Sequence, residues 1–252
     1  MLGLLNPQTL TEARDAKRND ILTYFAMLQL RGMRAPPIRL LPPETQADIK
    51  LIWPSYKSAM HEGQRFLFQL GKPELIREAC LSAPVGKRLP SDFYLHQSAE
   101  ESLPALLRIL IFAARQIVGE VDYNIVKVAT DGRKISFLKY KDFDEEAHPE
   151  LLHSVRVHLP SASYAIRDYS SSDNPPILHR KESFVDTLHQ NYTAFAELTR
   201  QEEDLGLLSR VDIGFKAEWL RLLSERKVRI VGHELREDSG GTDSEVGMIR
   251  VD

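Results

Sequence analysis

The hydrophobic period of this chain changes at Gly119, and that change limits the fold more than any other feature. Before it, apolar residues recur at three- and four-residue spacing, the signature of amphipathic helices. Ile21, Tyr24, Phe25 and Leu28 belong to one such run, with Gly32 as its stop. Pro43 and Pro73 each suit the first position of a short helix. Between them, Tyr56, Ala59, Met60, Gly63, Phe66, Leu67 and Leu70 share a face. An irregular stretch around Gly86 and Pro90 follows. Leu103, Leu106, Leu107, Leu110, Ile111, Ala114 and Ile117 then line the strongest helix of the chain, which Gly119 ends.

Beyond Gly119 the period becomes two. Residues 123–130 and 134–140 are β-rich runs around Asp131-Gly132, a hairpin signal. In 153–159, Val155, Val157 and Leu159 alternate with Ser154, Arg156 and His158, and 163–169 reads as a fourth strand. Helices are expected over 187–204 and 215–226, and a last strand over 227–235. This succession predicts an α+β fold, with a helical part at 1–118 and a mainly antiparallel sheet with C-terminal helices at 119–235. A disordered tail is expected at 236–252.

Composition narrows the function classes. The 252 residues hold a single cysteine, Cys80, which excludes an intramolecular disulfide framework and a multi-cysteine zinc site. Arg108 and Arg115 interrupt the longest apolar stretch, so no membrane span is expected. The first residues carry no secretory signal, and a cytoplasmic location is expected. The net charge of −3 hides a split, with +4 over residues 1–118 and the acids concentrated downstream. A mildly basic front half is compatible with nucleic acid, though as a weak electrostatic footprint. No glycine-rich dinucleotide turn, phosphate-binding loop or methyl-donor turn is present. No His-Glu-x-x-His or Gly-x-Ser-x-Gly occurs either. No cofactor is therefore expected, with a divalent metal the one left open.

Three segments could carry chemistry. In the polar block at 166–184, Arg167, His179, Arg180 and Lys181 are suited to neutralising phosphates, and Arg156 joins them if the sheet face is open. Asp168, His179, Lys181 and Glu182 are the catalytic candidates of that block, as proton acceptors or donors. The bland alternative is that Asp168 and Glu182 pair with the neighbouring cations and clamp a loop. Asp142, Asp144 and His148 form a second group, with the residue types that hold Mg²⁺ or Mn²⁺. The third feature is the outward face of the sheet, where Arg156, His158 and Arg167 are expected with Lys127 and Lys139. Asn174-Pro-Pro-Ile177 resembles the Asn-Pro-Pro-aromatic motif of amino-group methyltransferases, but Ile177 replaces the ring and a Pro-Pro turn explains it better.

Several segments together carry a resemblance. Lys134-Ile-Ser-Phe-Leu-Lys-Tyr-Lys-Asp-Phe-Asp144, His148-Pro149, Arg167-Asp-Tyr-Ser170 and Asp173-Asn-Pro-Pro-Ile-Leu-His-Arg-Lys-Glu182 resemble the DNA phosphorothioation-associated methyltransferases. The likeness runs on through Leu198-Thr-Arg-Gln-Glu-Glu203 and Gly232-His233, and upstream through Pro84-Val-Gly-Lys87 and Tyr94-Leu-His96, covering residues 18–235. It matches the C-terminal part of that family, downstream of the methyl-donor domain. The resemblance implies a nucleic-acid-facing accessory module of a DNA modification or restriction system, without its own methyl-donor site. DNA is the expected partner, RNA a second, and a methyltransferase or restriction subunit a protein partner. Two alternatives stay open, a metal-dependent enzyme acting on nucleic acid and a protein–protein adaptor.

Overall fold

The computed structural model describes residues 6–238, and the expected tail from 239 onward lies outside them. Four helices come first: α1 (Pro7–Leu30), α2 (Pro43–Ile52), α3 (Tyr56–Gln69) and α4 (Pro73–Ser82). Pro43 and Pro73 open α2 and α4 as read, because a first-turn N–H has no partner to lose. Ile21, Leu22, Phe25, Ile49, Trp53 and Ala59 make a small core of their own between α1, α2 and α3.

The stretch around Pro90, read as irregular, instead holds β1 (Lys87–Arg88) and β2 (Asp92–His96). Helix α5 (Ala105–Val118) follows and stops at Gly119, whose φ of 79° places it where a side chain would be strained. Then come β3 (Ile125–Ala129), β4 (Lys134–Tyr140), β5 (Leu151–His158) and β6 (Ser163–Asp168). All six strands form one sheet in the order β1-β2-β3-β4-β5-β6, with every neighbouring pair antiparallel. Because β1 and β2 come from the front part, the sheet draws on both sides of Gly119.

Alternation puts Phe93, Leu95, Val126, Val128, Ile135, Phe137, Val155 and Val157 on one face, packed against α4 and α5. The other face presents Tyr94, Ile125 and Leu138 to Leu178, Phe184 and Phe195 of the C-terminal layer. Strand β4 is consequently buried on both faces along most of its length.

The C-terminal layer holds α6 (Tyr192–Asp204) and α7 (Lys216–Glu225). Val228 to Glu237, read as a single strand and the start of the tail, is a hairpin of β7 (Val228–Val231) and β8 (Glu234–Glu237). The architecture is α+β, with N-terminal helices, a six-stranded antiparallel sheet and C-terminal helices. Among the described residues no helix is long and apolar enough to cross a membrane.

Candidate metal centre and cationic sheet face

The loop from β4 to β5 and the segment 174–184 are tied together before they carry any chemistry. Glu150 bridges Ile177, and Pro176 bridges Phe215. Asn174 accepts from Ala217 N at 2.7 Å and donates to Glu218 Oε2 at 3.1 Å. The Asn-Pro-Pro turn therefore docks the segment on the first turn of α7. Arg180 adopts a left-handed backbone (φ 58°), an uncommon conformation for a side-chain-bearing residue. It turns the chain so that Arg180 pairs with Glu203 at the surface while His179 and Lys181 reach inward.

Lys181 is 2% exposed. Its Nζ donates to Phe143 O at 2.7 Å, Glu146 O at 2.6 Å and His233 Nε2 at 3.0 Å, and lies 3.8 Å from the centre of the Phe195 ring. An ammonium has three protons, and all three are used. Burial nevertheless pulls its pKa down to about 7, opposed by the negative potential of Asp144, Glu145 and Glu146.

Beside this clamp, His148, His179 and Glu202 bring one donor atom each to within 4.8 Å of one another. Among the described residues this is the one group of three or more His, Cys, Asp or Glu side chains placed to share an ion. His148 comes from the β4–β5 loop, His179 from the turn before Lys181, and Glu202 from α6. Trp219 of α7 packs on both imidazoles, with ring centres 4.7 Å and 4.6 Å away.

His179 Nε2 lies 2.8 Å from the carbonyl of Ile213. A carbonyl only accepts, so Nε2 carries the proton and Nδ1 carries a lone pair, buried and without a partner. Glu202 is 1% exposed and its Oε1 also lacks a hydrogen bond. His148 Nε2 stands 2.8 Å from that oxygen, but the approach is not aligned as a hydrogen bond, so proximity here is not pairing.

The electrostatics are those of two neutral imidazoles beside a carboxyl group whose ionisation burial opposes. Burial lowers His148 to about 3, with the Lys181 charge adding to it, and lowers His179 to about 4, with His148 adding. Burial raises Glu202 to about 7 against the pull of His179 and Arg180. A cavity of about 610 Å³ lined by His148, Trp219, Ile177, Glu145, Glu146 and Arg229 opens at this place.

The structure redistributes the residues expected from sequence. Asp142, Asp144 and His148 do not converge. Asp142 is exposed on a left-handed backbone, Asp144 meets His189 at 3.4 Å and Asn191 at 3.2 Å, and only His148 enters the centre. The expected metal group is corrected accordingly, because the loop turns between Asp144 and His148. The quartet Asp168, His179, Lys181 and Glu182 is not assembled. Asp168 is exposed on β6, where it accepts from Ser170 N, and Glu182 accepts from Thr199 Oγ1 at 2.8 Å. Lys181 and His179 are also withdrawn as phosphate contacts, since the first is buried and spent and the second is held neutral. Arg180 is engaged by Glu203.

On the sheet, Lys139 falls on the face opposite Arg156 and pairs with Asp122 at 2.8 Å. Lys127 shares the Arg156 face but is held by Asp92 at 3.3 Å. Arg156 and Arg167 do share a face, and Lys134 joins them through its register with His158. All three are exposed, and none has a carboxylate partner among the described residues, although Arg167 donates to Tyr169 Oη at 3.4 Å. They run diagonally over three adjacent strands, which spaces them by roughly 8 Å.

This geometry defines an α+β chain with a His-His-Glu donor group between the β4–β5 loop and its C-terminal layer, and with a cationic diagonal on its sheet that has no carboxylate partner among the described residues. No protein-family model matches the sequence, and no curated protein or solved structure matches it either.

Proposed function

We propose that the protein is a nucleic-acid-facing module of a DNA modification or restriction system, similar to the C-terminal part of the phosphorothioation-associated methyltransferases. The observation that carries the reading is the diagonal of Lys134, Arg156 and Arg167 across β4, β5 and β6, exposed and without a carboxylate partner among the described residues. Cations without local acids stay available to a phosphate backbone, and strand spacing fixes their geometry. A methyltransferase or restriction subunit is the protein partner that this reading names.

The test is binding to duplex DNA over a salt series, with RNA alongside. Each phosphate contact on B-DNA contributes about 0.9 to the slope of log affinity against log salt. The triple variant Lys134→Ala/Arg156→Ala/Arg167→Ala is expected to flatten that slope by roughly 2 to 3. An unchanged slope, or no binding of the wild type at low salt, removes the reading.

A second reading, a metal-dependent enzyme acting on nucleic acid, is favoured by the His148–His179–Glu202 group. A divalent ion there would polarise a phosphoryl oxygen or activate a water. Cleavage that requires the metal and is lost in His179→Ala with binding retained would separate it from the first.

A further inference from the structure

We infer that His148, His179 and Glu202 bind one divalent ion of the zinc class, with a coordination position left for an exchangeable ligand. The inference deepens the metal-dependent reading above by naming the ion's chemistry and the character of the site.

Four buried side-chain polar atoms lack a partner among the described residues, and two of them, His179 Nδ1 and Glu202 Oε1, belong to this group. The others are Arg108 Nε and Arg115 Nε, whose guanidinium groups are paired through their remaining nitrogens. Leaving a buried acceptor unsatisfied is unfavourable, and one cation held by this group would satisfy both. The proton that would otherwise join His148 to Glu202 is not placed to do so, although their atoms are 2.8 Å apart.

The surroundings match those of a metal ligand rather than those of an ion pair. The Nε2–H of His179 is anchored on the Ile213 carbonyl, which fixes the ring and directs its lone pair. Two neutral imidazoles and one carboxylate suit zinc and its transition-metal neighbours, whereas Mg²⁺ and Ca²⁺ favour all-oxygen shells. Zinc bonds of about 2.0–2.1 Å need donors closer together than the widest separation here, so side-chain rotation must close the group. Loop, turn and helix each contribute one donor, so the ion would also tie the β4–β5 loop to the turn at His179 and to α6.

No fourth His, Cys, Asp or Glu joins the group among the described residues. A three-ligand set with two histidines and a glutamate is the open type, which keeps a place for water or substrate. His148 and Trp219 line the cavity of about 610 Å³, so solvent has a route to the group.

The experiment uses the whole chain, stripped with chelator and titrated with Zn²⁺ by calorimetry, with metal content measured in parallel. One zinc per chain is expected, along with thermal stabilisation that millimolar Mg²⁺ does not reproduce. His179→Ala and Glu202→Gln should each weaken zinc by at least about 100-fold, while His153→Ala and His158→Ala leave it unchanged. Glu202→Gln supplies a second readout. With a metal role, the metal-free variant is as stable as wild type or more so, because a buried acid has gone. With a merely structural His148–Glu202 contact, it would be less stable. Substoichiometric zinc, equal binding of Mg²⁺, or zinc affinity unaffected by both ligand variants would overturn the inference. Zinc bound at one per chain, without any effect on nucleic acid, would leave this site standing and remove only the enzymatic reading.

Discussion

Lys181 Nζ and His233 Nε2 meet at 3.0 Å, and the same ammonium holds the carbonyls of Phe143 and Glu146. One buried charge thereby fastens the β7–β8 turn to the loop that leads into His148. The stem also packs against Phe195 and Phe143. Lys181→Met keeps the stem and abandons three acceptors, so it should cost about 1–3 kcal/mol. Lys181→Ala loses the packing as well and should cost about 3–5 kcal/mol. Urea unfolding measures both. A Met variant as stable as wild type would mean that desolvation of the charge cancels its three hydrogen bonds.

His96 predicts an acid limit to stability. It is buried against Phe143, with ring centres 4.4 Å apart, and burial with the neighbouring His189 lowers its pKa from 6.5 to about 4. Asp144 pulls the other way, and Lys181 adds to the lowering. Between these two values the unfolded chain binds the proton and the folded one does not. Stability should therefore fall as pH drops from about 6.5 towards 4, by about 3 kcal/mol at most from this group. His96→Phe removes the titration, so its stability curve should be flatter over that window. Parallel curves for the two proteins would contradict the assignment.

Gly63 lets α3 pack closely on α1. A Cβ added there would sit 2.5 Å from Phe25 Cβ, on packed helix rather than on a flexible side-chain end. Alanine gains about 1 kcal/mol of helix propensity over glycine, but overpacking costs about 1–3 kcal/mol. Gly63→Ala should lower the melting temperature, and a rise would show that the helices can separate without loss.

Much of this architecture is legible in the amino-acid sequence, for identifiable reasons. The Asp131-Gly132 turn and the alternation of Val155 and Val157 locate β3, β4 and β5 because one clear periodicity governs each. Strand β2 escapes the same reading. Its five residues are flanked by Pro90 and a 3-10 turn, and three of them are buried, including His96. The site is legible in halves. His148 and His179 are visible as residue types, but the left-handed turn at Arg180 sends inward two residues that composition places at the surface. Glu202 does leave a signal. Phe195, Leu198, Thr199 and Glu202 are the buried face of α6, so an acid occupies a core position of a helical period. An acid in that register is uncommon without a partner.

Asn174 offers the sharpest separation of motif from structure. Its amide accepts from Ala217 N and donates to Glu218, which lets a residue remote in sequence cap the start of α7. If the side chain only caps, Asn174→Ala should destabilise the fold by about 1 kcal/mol, and Asn174→Asp should keep the acceptor while setting a carboxylate against Glu218. The aspartate variant should then be the less stable of the two at neutral pH. On the nucleic-acid reading proposed above, binding to DNA, measured well below the melting temperature of each variant, should be unchanged in both. A loss of DNA binding with the fold intact would instead make Asn174-Pro-Pro-Ile177 a recognition element, because capping alone gives the side chain no reach beyond α7.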